Sequence, residues 1–153
     1  MITARYNGNG NQALTQIRTT LKTAQKDINA QIATEEKKGF AGFGKNQDRI
    51  SRLKTFSQAS SLLQSSITSY ERLRQAAYSD GKLSEKEKQG LQESLNVIKN
   101  DVARYQNIAD ETSSKDPTGA AKQTIRRLGN NYGNLQNVVN TTEDWLKNQR
   151  IQG

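Results

Sequence analysis

The chain has 153 residues with no cysteine, no histidine, one proline (Pro117), one methionine (Met1) and one tryptophan (Trp145). Hydrophobic residues make up 32% and the mean hydropathy is −0.92, against an apolar share of roughly 45–50% in ordinary domains. Without Cys or His there is no disulfide framework, no zinc finger, no thiol nucleophile and no Ser-His-Asp triad.

Twenty-three Lys and Arg face 15 Asp and Glu, a formal charge of +8. The excess is regional. Residues 37–74 carry a net +6, whereas residues 101–153 are close to neutral. Within the basic region Lys37, Lys38, Lys45, Arg49, Arg52 and Lys54 are the candidate phosphate contacts. Such a patch supports salt-sensitive contact with a nucleic-acid backbone but offers no base-reading code. A solvated helix face is the plainer reading of the same charges.

Residues 1–12 read as a flexible N-terminal arm, Gly- and Asn-rich and without the apolar core of a cleaved signal peptide. No stretch approaches the apolar length of a membrane span. A first helix is expected over 13–38, with Leu14, Ile17, Leu21, Ala24, Ile28 and Ile32 on one face. Gly39 is the expected C-cap.

A second helix is expected over 47–78, on Ile50, Leu53, Phe56, Leu63, Ile67, Tyr70, Leu73 and Ala77, with Ser60 interrupting the apolar seam. Ser79-Asp80-Gly81-Lys82 reads as a turn. Ser84 and Glu87 form a capping-box pattern that opens a third helix over 84–111, on Leu91, Leu95, Ile98, Val102 and Tyr105. The stretch 112–117 reads as its break, with Asp116-Pro117 as N-cap and N1 of a fourth helix over 117–149. Ala121, Ile125, Leu128, Tyr132, Leu135, Val139, Thr142 and Leu146 form that seam.

No segment alternates with period two. The fold class is therefore all-α, an elongated antiparallel bundle or set of coiled-coil-like hairpins of about four helices in a single domain.

Residues 39–46, Gly-Phe-Ala-Gly-Phe-Gly-Lys-Asn, nearly match the phosphate-binding loop. Asn46 replaces the hydroxyl that holds magnesium, and a charged helix end stands where a buried strand belongs. Residues 80–87 imitate half a calcium loop, but Ala76 and Tyr78 occupy its first ligand positions. No catalytic, cofactor or metal site is expected, and the chain reads as a non-enzyme. Phe40 and Phe43 are candidate interface anchors. Gly129, Tyr132 and Gly133 mark a close approach or bend in the last helix, and Trp145 is a core or interface residue.

Several stretches carry a resemblance. Ile28-Asn29-Ala30-Gln31-Ile32-Ala33-Thr34 is followed by a Gly-rich turn and Asp48-Arg49-Ile50, and Ile125-Arg126-Arg127-Leu128-Gly129 is followed by Leu135-Gln136-Asn137. Read in order, with Gly81-Lys82-Leu83-Ser84-Glu85 between them, they resemble bacterial flagellins and hook-junction proteins. The polymerising ends and outer domains of that family are not recognisable here.

The resemblance implies a filament-type subunit secreted without a cleaved signal. The leading expectation is a structural subunit of a phage or virus particle, then a flagellin-like filament subunit, located in a virion or an extracellular filament. Its partners are copies of itself and other assembly proteins. A nucleic-acid-associated protein is the alternative, and a secretion-associated adaptor the second alternative.

Overall fold

The computed structural model describes residues 10–40, 42, 44–128 and 132–152. Among them are five helices and no strand: α1 (Asn11–Phe40), α2 (Gln47–Ala77), α3 (Glu85–Lys115), α4 (Ala120–Leu128) and α5 (Tyr132–Lys147). The first three are each about 45 Å long at 1.5 Å per residue.

Each helix forms because apolar side chains recur at alternating steps of three and four. On α2 the buried line runs Leu53, Phe56, Ser60, Leu63, Ile67 and Tyr70, and on α3 Leu91, Leu95, Ile98, Val102, Tyr105 and Ala109. These lines meet Leu14, Leu21 and Ile28 of α1, and Ala121, Ile125, Val139 and Leu146 of α4 and α5, in one core. Phe56 and Tyr105 pack ring to ring at its centre, with centroids 5.4 Å apart.

Cross-helix contacts fix the topology. Arg18 pairs with Glu71 at one end of the α1–α2 interface, and Glu35 pairs with Arg49 at the other. Ser66 meets Asp101, and Arg52 meets Lys115, across α2 and α3. Lys99 meets Glu143 on α5, while Gln31 of α1 meets Thr124 of α4. Neighbours in this ring are antiparallel, and α2 lies diagonally across from α4 and α5. The result is an up-down-up-down four-helix bundle whose fourth rung is built from two shorter helices.

Five details differ from the sequence expectation. Gly39 lies inside α1 and does not cap it. Helix α3 runs on through Thr112-Ser113-Ser114 to Lys115, because Thr112 is buried on the same seam as Ala109. Pro117 is not the first helical residue. It lies in a turn, and Asp116 reaches across it to accept from Thr118 N and Ala121 N, at 3.2 and 2.7 Å. The fourth seam is carried by two helices, and residues 129–131 between them lie outside those described. Leu73 is also displaced from the expected core, being 45% exposed.

The seam's polar interruption has a physical account. Ser60 is fully buried, and its hydroxyl donates to the Leu21 carbonyl of α1 at 3.2 Å. A small residue there lets α1 and α2 approach closely, and its hydroxyl is satisfied.

Candidate interaction surfaces

Residues 37–54 gather where α1 ends and α2 begins, yet most of their charge is engaged within the fold. Arg49 is buried. Its Nε donates to Asp116 Oδ1 at 2.7 Å, Nη1 to Glu35 Oε1 at 3.2 Å and Nη2 to Gln31 Oε1 at 3.0 Å. Glu35 also accepts from Asn46 N at 3.0 Å and from Lys38 Nζ at 3.3 Å. Arg52 donates to the Lys115 carbonyl at 3.1 Å, and Lys54 pairs with Glu36 at 3.2 Å.

Lys37 and Lys45 are the exposed cations of the predicted set that make no ion pair among the described residues, and Lys45 lays its stem against Gly39. Arg49 therefore does not belong to a solvent-facing phosphate surface. Its guanidinium is spent on two carboxylates and an amide.

Sequence reasoning read Arg49 as a surface charge because its partners lie 14 and 67 residues away. Together these side chains make a clasp that ties α1, α2 and the α3–α4 turn. It continues through Gln31 Nε2, which donates to Thr124 Oγ1 at 2.9 Å, and Thr124 in turn donates to Asp27. The Asn46 N–H, with Lys38 and Arg49, holds the Glu35 carboxyl below the usual range against its burial. Burial raises Asp116, but the Arg49 hydrogen bond and the Ala121 and Thr118 N–H groups outweigh it and leave its pKa lowered.

Asn46, the residue that spoils the phosphate-loop pattern, is the N-cap of α2: its side chain accepts from Arg49 N at 3.0 Å. Ser84 and Glu87 complete the predicted capping box on α3. The half-calcium-loop stretch is thus a turn leading into that cap, with Asp80 accepting from Lys82 N at 2.9 Å. Among the described residues no group of three or more acidic side chains is placed to hold a metal ion.

Of the predicted interface residues, Trp145 is part-buried against the core and lies 6.2 Å from the Tyr78 ring, centroid to centroid. Phe40 is the last residue of α1, and Tyr132 and Gly133 open α5. Phe43 and Gly129 lie outside the described residues. An open groove of about 350 Å³ runs between α1 and α2, lined by Asn29, Ile32, Ala33, Glu36, Lys54, Ser57 and Gln58. Its chemistry is mixed, and the Lys54–Glu36 pair closes one side.

A different surface was not anticipated. Among the described residues four large hydrophobic side chains are exposed, namely Leu62, Leu73, Val97 and Ile151. Three of them stand on the outer face of the α2–α3 pair. The Ser66–Asp101 and Arg52–Lys115 contacts set the register there, placing Leu73 level with Ser94, and Val97 level with Tyr70. The signal was present in the sequence: residues 55–70 contain no charged side chain in a protein that is 25% charged.

Among the described residues no helix is long and apolar enough to cross a membrane. Comparison with family models, with curated proteins and with solved structures yields no match.

Proposed function

We propose that this chain is a non-enzymatic structural subunit that acts through its outer helix faces in a larger assembly. One observation carries the reading. The bundle consumes its four seams internally, yet three large apolar side chains, Leu62, Leu73 and Val97, remain about half exposed on one face of the α2–α3 pair. Apolar side chains gathered on one face, and not scattered, mark a contact surface. The polar groups that come closest to a site, those of the Arg49 clasp, are saturated by one another and leave no free base or nucleophile at their centre.

Within that reading, a component of a phage or virus particle comes first and a flagellin-like filament subunit second. Both suit a polar, helical chain free of Cys and His that works by shape and contact. The test is gradient sedimentation of assembled particles or filaments from the source, with the chain followed by antibody. Co-migration with the assembly, resistant to a moderate salt wash, is the expected result. A chain found wholly in the free fraction overturns the reading.

A further inference from the structure

Resting on the subunit reading above, we infer that the α2–α3 face pairs with the same face of a second copy of this chain, antiparallel, about a two-fold axis that crosses α3 between Val102 and Arg104.

The face is built from residues that point away from the core beside the α2–α3 contact. On α2 these are Leu62, Ser65, Ser69 and Leu73, and on α3 Val97 and Arg104, all exposed. Its charge pattern is what singles out a second copy. Asp101 and Arg104 are one helical turn apart on α3 and opposite in sign. Asp101 accepts from the Ser66 hydroxyl and has lone pairs to spare, while Arg104 is exposed and makes no ion pair among the described residues.

A two-fold axis between them brings Asp101 of each copy opposite Arg104 of the other, giving two equivalent ion pairs. The same operation sets Val97 against Ile108, which is only partly buried in the monomer. It also drops Leu62 between Ser65 and Ser69 of the facing α2, where small side chains let the helices approach. Elsewhere the copies, each at +8, repel one another. The uncharged stretch 55–70 is where two of them can meet at least electrostatic cost.

The strip is roughly 25 Å long and two helices, about 20 Å, wide. A pair buries on the order of 1,000 Å², the low end of specific interfaces. The association is accordingly weak and reversible.

Sedimentation velocity from micromolar to submillimolar concentration tests it, using the full chain and three variants. Arg104→Glu alone and Asp101→Lys alone each place like charges across the axis, and each is expected to weaken self-association at least tenfold. Mixed one to one, the two variants restore opposite charges at both positions and are expected to form a heterodimer. Leu62→Lys is expected to abolish pairing in the wild-type background. Unchanged helical circular dichroism and thermal unfolding show that the variants are folded.

A wild-type chain that stays monomeric throughout overturns the pairing, as does a mixture that fails to associate. The subunit reading fails separately, by absence of the chain from assembled particles, so the two failures are distinguishable.

Discussion

Arg49 has three kinds of nitrogen, and each finds its own acceptor: Nε on Asp116, Nη1 on Glu35 and Nη2 on Gln31. Only a guanidinium supplies donors in that fork. Arg49→Ala takes the guanidinium from both carboxylates, leaving Glu35 the exposed Lys38 and Asp116 its backbone N–H donors. It is expected to lower unfolding stability by about 3 kcal/mol, toward the low end of the cost of breaking a buried pair. Arg49→Lys recovers little of this, since one ammonium does not reach three separated acceptors. Urea unfolding of the three proteins checks both outcomes.

The same carboxyls set the acid response. Glu35 and Asp116 have pKa values lowered in the folded chain, so they bind protons less readily there than when unfolded. Their stabilisation is complete above the unfolded carboxyl values of about 4 and is lost as pH falls through the lowered folded values. Thermal unfolding followed from pH 6 to pH 2 is expected to show this fall, and Asp116→Asn is expected to flatten it. A variant as acid-sensitive as the parent contradicts the assignment.

At the scale of elements, the periodic segments were legible because heptad spacing is a local property. The seams of α1, α2 and α3 follow directly from steps of three and four, and the capping box of α3 follows from Ser84 and Glu87. Removing that cap with Ser84→Ala is expected to cost about 1 kcal/mol, measurable as a shift in urea midpoint.

What escaped was set by distant neighbours. Ser60 looks like a flaw in the seam until the Leu21 carbonyl is placed beside it. Leu73 falls on the heptad in sequence, yet the way α2 is rotated against α3 turns it outward. The start of α4 is displaced from Pro117 because the Asp116 carboxylate is shared between its turn and Arg49.

Gly10 is a further case. It takes φ +74°, and a Cβ there falls 2.4 Å from Thr142 Oγ1 and 3.1 Å from the Val138 carbonyl. Gly10→Ala is therefore expected to destabilise the junction of α1 with α5 by about 2 kcal/mol, a loss that urea unfolding reads directly. Gly8-Asn9-Gly10 in sequence reads only as a loose arm.

For the whole molecule, internal ion pairs leave the formal +8 unchanged, but partners within the fold occupy most of the candidate cations of the basic region itself. In the predicted phosphate set, Lys38, Arg49, Arg52 and Lys54 all have partners within the bundle. Titration with duplex and single-stranded DNA over a salt series is accordingly expected to give weak binding. Its log–log slope should correspond to two or so released counterions, far fewer than six. A slope near −5 would restore the nucleic-acid reading.

The two ends of the bundle are held by different chemistry. At one, charged side chains close the clasp around Arg49. At the other, Gln152 N donates to the Leu83 carbonyl at 2.7 Å, Lys88 Nζ to the Lys147 and Gln149 carbonyls, and the Tyr78 hydroxyl to Gln149. None of these four bonds ends on a carboxylate, and Glu71, which accepts from Thr15 and Arg18, lies two helical turns further in than Tyr78. Acid below about pH 4 should therefore splay the rod from one tip while the opposite tip stays shut. Amide exchange would then run as a gradient along the long axis, fastest near Asn46 and Ala121 and slowest near Leu83. A molecule with such a weak tip has a built-in direction in which it opens, and any larger object made from it inherits that direction.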